Sequence, residues 1–232
     1  METYVVQTEL LNYNHSTIQK LIRNRNWAAQ STREQILNVY NYVRDEIEFG
    51  YNRSDYIKAS EVLQDGYGQC NTKGILFMAI LRALKIPCRI HGFTIHKQLQ
   101  KGAMSGWYYH LSPQEIIHSW VEVLYNDKWL NIEGFIIDLP YLTKLQSKFK
   151  QCTGSFCGYG VATDNFQNPA IEWDENDTYV QKEGIVQDFG IFNNPDDFFS
   201  LHQQNLSALK KIIFSKVVRH LMNRNVRNIR QG

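Results

Sequence analysis

Apolar residues recur at helical spacing through the first part of the chain and predict three helices there. A short helix is expected to begin at Ser16. A second helix follows Ser31, which has the spacing of a capping box with Glu34, and it is expected to stop at Gly50. Residues 71–85 predict a third helix that is apolar on nearly every side, so we expect it to be buried.

Strand-like segments come after this apolar helix. Residues 89–95, 118–125 and 128–135 have the composition and alternation of β-strands. Asn126 and Asp127 separate the last two of these segments, and that spacing is typical of a two-residue hairpin turn. The chain therefore combines helices with an antiparallel hairpin.

The remaining segments carry weaker patterns. Residues 96–113 predict a long loop that could cover a site, with Trp107-Tyr108-Tyr109 as either a substrate wall or ordinary loop packing. Residues 141–200 are rich in turn residues and leave room for two short helices at most. Residues 205–222 predict an amphipathic helix. Its apolar side, expected to pack on the domain, consists of Leu206, Leu209, Ile213, Val217 and Leu221.

The composition is that of an ordinary globular protein, with 43% hydrophobic and 21% charged residues. The longest uninterrupted apolar run, Ile75 to Leu81, is far shorter than the roughly 20 residues of a membrane-spanning helix. No basic region followed by an apolar stretch marks a secretory signal, and the four cysteines form no CxxC pair. No membrane span and a reducing, cytoplasmic setting are therefore expected.

Charge is unevenly distributed along a chain whose net charge is only +2. Residues 200–232 contain seven Lys or Arg and no Asp or Glu, while the rest of the chain has 18 basic and 23 acidic residues. A basic tail can contact nucleic acid or a membrane surface. We expect instead that this tail docks on the acidic body, so that nucleic acid is not a partner.

Cys70 is the first candidate for chemistry. It follows the string Gly66-Tyr67-Gly68-Gln69 and begins the predicted apolar helix. At a helix N-terminus, unpaired N–H groups and the positive end of the helix dipole favour a thiolate. The same N–H groups can stabilise the oxyanion that forms when a thiolate attacks a carbonyl. A low-pKa nucleophile at Cys70 is the prediction; a structural cysteine is the alternative.

The predicted hairpin brings a histidine and a carboxylate together. If Asn126 and Asp127 form the turn, His118 and Glu133 become diagonal neighbours on one face of the ladder. Packing of the cysteine helix on that face would complete a Cys–His–carboxylate triad. The imidazole would then activate the thiol, and the carboxylate would fix the imidazole tautomer.

Several strings in this region resemble one known family, the transglutaminase-like superfamily. The resemblance is specific over about residues 31–138. The strings are Ala59-Ser60-Glu61-Val62-Leu63, Gly66-Tyr67-Gly68-Gln69-Cys70, Leu81 to Arg89, and His118-Ser119-Trp120-Val121-Glu122-Val123 followed by Trp129 and Glu133. Beyond them, Phe156 to Gly160 and Asp177-Thr178-Tyr179 resemble an uncharacterised bacterial branch of that superfamily.

The resemblance implies a papain-like α+β fold in which the cysteine helix packs on an antiparallel sheet. It places the nucleophile at Cys70, the histidine at His118 and the carboxylate at Glu133. The family's acid is usually Asp, so Asp138 is the alternative to Glu133. Animal transglutaminases carry Trp after the cysteine, where Asn71 stands here, and their calcium-binding and β-sandwich domains do not fit in 232 residues.

These patterns together predict one domain over residues 1–232. It would consist of an N-terminal helical segment, 1–30, a transglutaminase-like core, 31–138, and a C-terminal extension, 139–232, that is partly helical. No linker rich in Gly, Pro or Ser interrupts the chain. These patterns do not indicate an oligomeric state.

A metal site is the main rival to thiol chemistry. His91, His96 and His110 lie near the predicted site, but none shows the HxxxH spacing of a zinc site. Cys152 and Cys157 are five positions apart, with no histidine nearby. No dinucleotide, phosphate-loop or EF-hand motif is present. Neither a metal nor a cofactor is therefore expected.

Three classes of function remain open. The first is a thiol enzyme that acts on an amide of a peptide or other substrate through a Cys70 thioester, as a peptidase, amidase, deamidase or transglutaminase-like acyltransferase. The second uses the same triad on a thioester donor. The third is a non-catalytic binding module on the same fold. An enzyme, either a hydrolase or a transferase, is favoured because the chain has Cys70, His118 and an acid at Glu133 or Asp138.

Overall fold

A computed structural model describes residues 2–232 of the protein. Helices and short strands alternate before a larger sheet forms. The helices are α1 Ser16–Asn24, α2 Thr32–Asp45, α3 Ala59–Asp65, α4 Cys70–Ala83, α5 Gly106–Leu111, α6 Leu139–Lys148, α7 Pro195–Leu201, α8 Ala208–Ile213 and α9 Arg219–Gln231. The strands are β1 Glu48–Phe49, β2 Tyr67–Gly68, β3 Cys88–His96, β4 Glu115–Tyr125, β5 Lys128–Ile132, β6 Phe156–Gly158, β7 Val161–Thr163 and β8 Ile185–Phe192.

The main sheet has four antiparallel strands in the order β5-β4-β3-β8. The predicted hairpin between β4 and β5 is confirmed, because Tyr125 pairs with Lys128 and Val121 pairs with Ile132. Asn126 and Asp127 have φ values of 49° and 60°, as the two central residues of a type I′ turn require. Turn chemistry thus fixes the register of the central strand.

Helix α4 lies in the main hydrophobic core and packs against β4. Every residue of α4 from Cys70 to Arg82 is buried, as the apolar pattern predicted. Lys73 is fully buried as well, and its Nζ donates to the carbonyl oxygens of Arg44 at 3.1 Å and Ile136 at 3.0 Å. Burial lowers the pKa of Lys73 to about 7, and the negative charges of Asp138 and Asp45 offset this only in part.

The C-terminal helical segment runs on from α8 through a π-helical turn, Phe214–Val218, into α9. Val218, Met222 and Val226 are the buried residues of this segment. The apolar side predicted from the sequence is wrong, since four of its five members are exposed; they are Leu209, Ile213, Val217 and Leu221. The buried residues lie one position later than predicted, at Val218 and Met222 instead of Val217 and Leu221.

Arg230 ties the end of α9 to the body of the domain. Its Nη2 donates to Asp138 Oδ2 at 2.6 Å and to the carbonyl oxygen of Phe49 at 3.0 Å. Burial alone would raise the pKa of Asp138, but the Arg230 guanidinium more than offsets this and lowers it. The basic tail therefore docks on an acidic group of the body.

Other differences from the sequence-based picture are local. The loop expected at residues 96–113 contains α5, and β5 ends at Ile132 rather than continuing to Phe135. Residues 141–200 contain β6, β7 and β8 in addition to short helices. Strand β8 is an edge strand whose residues are mostly exposed, so it lacks the apolar alternation of a half-buried strand.

Replacing Arg230 with Met should leave Asp138 buried and unpaired, and should lower the free energy of unfolding at pH 7 by about 3 kcal/mol. Because the pKa of Asp138 is depressed in the folded protein, its contribution is present above the unfolded pKa of about 4 and fades below it. The difference in free energy of unfolding between the wild type and the variant should therefore become smaller at acidic pH. Urea unfolding followed by circular dichroism from pH 7 to pH 3 measures both effects.

The matched control is Arg227→Met, because Arg227 is exposed on the same helix. This change should cost less than about 0.5 kcal/mol. Equal losses in the two variants, or a loss at Arg230 that persists unchanged at pH 3, would contradict the ion-pair explanation.

Candidate active site

Cys70 occupies the first position of α4, and Gln69 caps the helix beside it. The Cys70 thiol donates to Gln69 Oε1 at 3.1 Å, and the same oxygen accepts the N–H of Asn71 at 2.7 Å. Gln69 Nε2 in turn donates to Asp55 Oδ1 at 2.6 Å. Asp55 thus fixes which way the Gln69 carboxamide faces, and the carboxamide oxygen holds the thiol.

The thiol of Cys70 is strongly shielded in this arrangement. Burial is the largest influence and raises the pKa of Cys70 well above its usual value, and the negative charge of Asp55 raises it further. The backbone groups of Asn71 and Ser119 act in the opposite direction and lower the pKa of Cys70. The low pKa predicted from the helix N-terminus is therefore wrong for this conformation, since desolvation outweighs the helix.

His118 and Glu133 form a buried pair. The imidazole Nε2 lies 3.1 Å from Glu133 Oε1, and both side chains are completely shielded from solvent. A carboxylate only accepts hydrogen bonds, so Nε2 carries the hydrogen and Nδ1 presents its lone pair. The other carboxylate oxygen, Oε2, accepts the N–H groups of Val180 and Gln181, each at 2.9 Å.

The start of α4 is bonded to the strand that carries His118. Asn71 Nδ2 donates to the carbonyl oxygen of Ile117 at 3.1 Å, and Ser119 Oγ donates to Asn71 Oδ1 at 2.8 Å. The residue after Cys70 is therefore bonded to both neighbours of His118. These contacts bring the thiol and the imidazole into one region.

The two side chains nevertheless do not bond to each other. His118 Nδ1 is buried and has no hydrogen-bond partner among the described residues. Val121 packs against α4 beside Gly74, and the His118 ring lies 4.8 Å from that of Phe93 on the neighbouring strand. The hydrogen bond expected between the Cys70 thiol and the imidazole is therefore absent from this structure.

Asp138, the alternative acid, lies elsewhere. It caps α6 by accepting the N–H of Tyr141 at 3.0 Å, and it also accepts the N–H of Phe49 at 2.8 Å. Together with its bond to Arg230, these contacts use both oxygens of the carboxylate. Asp138 therefore stabilises the fold, and Glu133 is the carboxylate next to the imidazole.

The segment with Thr178, Val180 and Gln181 contributes to the site, although its residue types did not predict a role there. Thr178 Oγ1 accepts the N–H of Gly134 at 3.1 Å, and the carbonyl oxygen of Thr178 accepts the N–H of Glu133, also at 3.1 Å. Backbone groups supply most of these bonds. Residue types along the chain therefore could not have revealed them, although the string Asp177-Thr178-Tyr179 had marked the segment.

A cavity of about 510 Å³ opens beside Cys70. This volume lies within the range of about 300–1,000 Å³ that is usual for small-molecule sites. Asp55 and Gln69 line it near the sulfur, and Trp107 and Tyr108 of α5 form part of its wall. One of the two roles predicted for the aromatic loop, a wall beside the site, matches this position.

Within residues 2–232, no group of three His, Cys, Asp or Glu side chains is arranged to hold a metal ion. His91 lies between two carboxylates, Glu122 at 3.1 Å and Asp188 at 2.7 Å, and these hydrogen bonds raise its pKa. No helix in the same range is long and apolar enough to cross a bilayer.

Comparison with known proteins gives one family and distant structural relatives. Residues 19–134 match the model of the transglutaminase-like superfamily. A candidate cysteine protease from Cytophaga hutchinsonii is 15% identical, with a TM-score of 0.44 over 58% of this chain and 42% of that one. Red sea bream transglutaminase is 16% identical, with a TM-score of 0.31 over 54% of this chain and 25% of that one. This chain therefore spans less than half of either relative. No curated protein matches the sequence.

Replacing Asp55 with Asn should lower the pKa of Cys70. The change removes a negative charge near the sulfur but keeps a carbonyl oxygen for the bond from Gln69. Burial raises the pKa of Asp55 to about 6, so the carboxylate is charged at pH 8 and the effect should be visible there. Each unit by which the pKa of Cys70 falls raises its thiolate fraction about tenfold while the thiol predominates.

Iodoacetamide labelling followed by peptide mapping between pH 6 and pH 10 measures this change. Exposed Cys157 serves as the internal reference, and Asp174→Asn, at an exposed position, serves as the control variant. A Cys70 profile that stays unchanged in Asp55→Asn, or shifts equally in Asp174→Asn, would show that the Asp55 charge does not act on the sulfur.

Proposed function

The chain belongs to the transglutaminase-like superfamily, and on this basis we propose that it is a thiol-dependent enzyme acting on an amide bond through a thioester at Cys70. His118 is the proposed base and Glu133 the residue that orients it. The acyl acceptor in this proposal is either water or an amine, which gives hydrolysis or transglutaminase-like acyl transfer.

The free Nδ1 of His118 is the observation that carries the proposal. A buried nitrogen without a hydrogen bond costs about 1–3 kcal/mol. His118 Nδ1 is one of six such side-chain atoms among the described residues, and it belongs to an imidazole whose other nitrogen bonds a buried carboxylate. Glu133 holds the opposite nitrogen protonated, which leaves Nδ1 as a base. The nearest proposed proton source is the Cys70 thiol at the start of α4.

In the proposed reaction, the Cys70 proton moves to His118 Nδ1 and the sulfur attacks the amide carbon. The C–N bond then breaks, the leaving amine takes the proton from the imidazolium, and an acyl thioester remains on Cys70. Attack by water or an amine, deprotonated by the same imidazole, releases the acyl group and restores the thiol. Glu133 stays ionised throughout and stabilises the imidazolium.

The substrate carbonyl would have to displace Gln69 Oε1. That oxygen accepts both the Cys70 thiol and the N–H of Asn71, so its removal frees a nucleophile and an oxyanion donor together. The backbone of Ser119 already lowers the pKa of Cys70, and its N–H is the second donor in this proposal. Catalytic hydrogen bonds commonly tighten only when substrate binds, which would apply to the contact between Cys70 and His118.

Covalent trapping tests the proposal directly. The protein is incubated with a panel of amides, including glutamine peptides and acyl anilides, and is then analysed by intact-mass and peptide mapping. We expect an acyl adduct on Cys70 that hydroxylamine releases. Complete absence of adduct and turnover across the panel, with the fold intact, would favour the binding-module alternative. Acyl thioesters are tested beside the amides, and adducts formed only from the thioesters would favour the second alternative.

Variants of the three residues should differ in severity. Cys70→Ala should abolish turnover, and His118→Ala should lower it by at least about 10³-fold, because each removes a partner in the same proton transfer. The double variant should be no worse than Cys70→Ala alone. Glu133→Gln should be milder, about 10- to 100-fold, because Nδ1 and the sulfur both remain. Rates of amide turnover, with unfolding curves for each variant, provide the measurement.

The control for Glu133→Gln is Glu183→Gln, an exposed carboxylate shortly after the segment that bonds Glu133. It should leave turnover unchanged. If His118→Ala retained wild-type turnover, or if Glu133→Gln were as severe as Cys70→Ala without loss of stability, the assigned roles would be wrong.

A further inference from the structure

The cavity beside Cys70 has a lining that is mostly apolar. Its polar lining includes Gln69, which accepts from the thiol, and Asp55, which accepts from Gln69. Its apolar lining includes Met104, Trp107, Ile117, Phe214, Val218 and Met222, and Lys210 and Lys211 also line it. A ligand matched to this cavity has one polar end, at Cys70, and a long apolar body.

The C-terminal helical segment supplies much of the apolar wall. Ile212 and Ile213 line the cavity although they are 58% and 37% exposed. Trp107 of α5 also lines the cavity and is 55% exposed. Large apolar side chains exposed together at the mouth of a cavity are typical of a ligand-binding surface. An apolar ligand would cover them.

We propose that this cavity binds the long acyl chain of the substrate, so that the enzyme acts on long-chain acyl amides. This inference rests on the proposed function, because it places the amide carbonyl at Cys70 and the chain beneath the C-terminal segment. The polar groups beside the sulfur then face the amide, and the apolar wall faces the chain. Each methylene buried should tighten binding about fourfold until the cavity is full.

Binding can be measured without turnover in Cys70→Ala protein. Isothermal titration calorimetry with N-acylglycine amides from acetyl to dodecanoyl should show dissociation constants that fall with chain length and then level off. Flat affinity across the series, or no binding of the dodecanoyl compound, would overturn the inference.

Two positions on α8 provide a matched pair for locating the chain. Ile212 lines the cavity, whereas Leu209 does not, and the two are similarly exposed at 58% and 66%. In the Cys70→Ala background, Ile212→Asp should weaken dodecanoyl binding at least tenfold, and Leu209→Asp should change it less than twofold. Both side chains are exposed, so neither change should disturb folding; unfolding midpoints verify this. Equal losses at both positions would mean that the ligand lies on the outer helix face, as a bilayer would, and would overturn the cavity assignment.

A second arm separates this inference from the proposed function. Wild-type protein is assayed with acetyl and dodecanoyl aminocoumarin amides, and the ratio of kcat/KM should favour dodecanoyl at least 100-fold. Chain-length-dependent binding without turnover or a Cys70 adduct would support the cavity and refute the proposed function. Equal turnover of both amides would support the function and refute the acyl-chain cavity.

Discussion

The buried carboxylate of Glu133 connects three parts of the chain that are distant in sequence. It follows β5, it bonds His118 on β4, and it accepts two backbone N–H groups from Val180 and Gln181. A charge taken out of water must be compensated by hydrogen bonds, and here they come mostly from the backbone. The segment around residue 180 therefore cannot move without exposing an uncompensated charge. In this way a loop of the C-terminal extension sets the orientation of an imidazole on the central strand.

Local rules account for the parts of this arrangement that the sequence made predictable. Asn126 and Asp127 adopt positive φ, which fixes the pairing of Tyr125 with Lys128 and brings His118 close to Glu133. The ladder ends at Ile132, and Glu133, the next residue, leaves the extended strand conformation. The bond between His118 and Glu133 forms nevertheless. The capping box at Ser31 is likewise a local device, and it is present at the start of α2.

The features that escaped prediction depend on distant parts of the chain. The high pKa of Cys70 comes from burial and from Asp55, neither of which the residues around the cysteine reveal. The hydrogen bonds of Val180 and Gln181 are made by backbone groups, which every residue type except proline can supply. Strand β8 joins the sheet at an edge, where exposure removes the apolar alternation that identifies buried strands. Strand register and helix caps are determined by residues close by in the sequence, whereas the desolvation of a group such as the Cys70 thiol depends on the whole folded domain.

The π-helical turn at residues 214–218 has a consequence for how this protein tolerates insertions and deletions. A π turn contains one more residue per turn than an α-helix, and each residue of an α-helix advances the chain by about 100° around the axis. The extra residue lets Ile212 lie at the cavity while Val226 faces the core. Deleting one codon in this turn would preserve the reading frame and nearly the whole composition. It would nevertheless rotate α9 by roughly a quarter turn, and would carry Arg230 away from Asp138. Homologues that keep both contacts should therefore vary in residue type along this segment but not in its length.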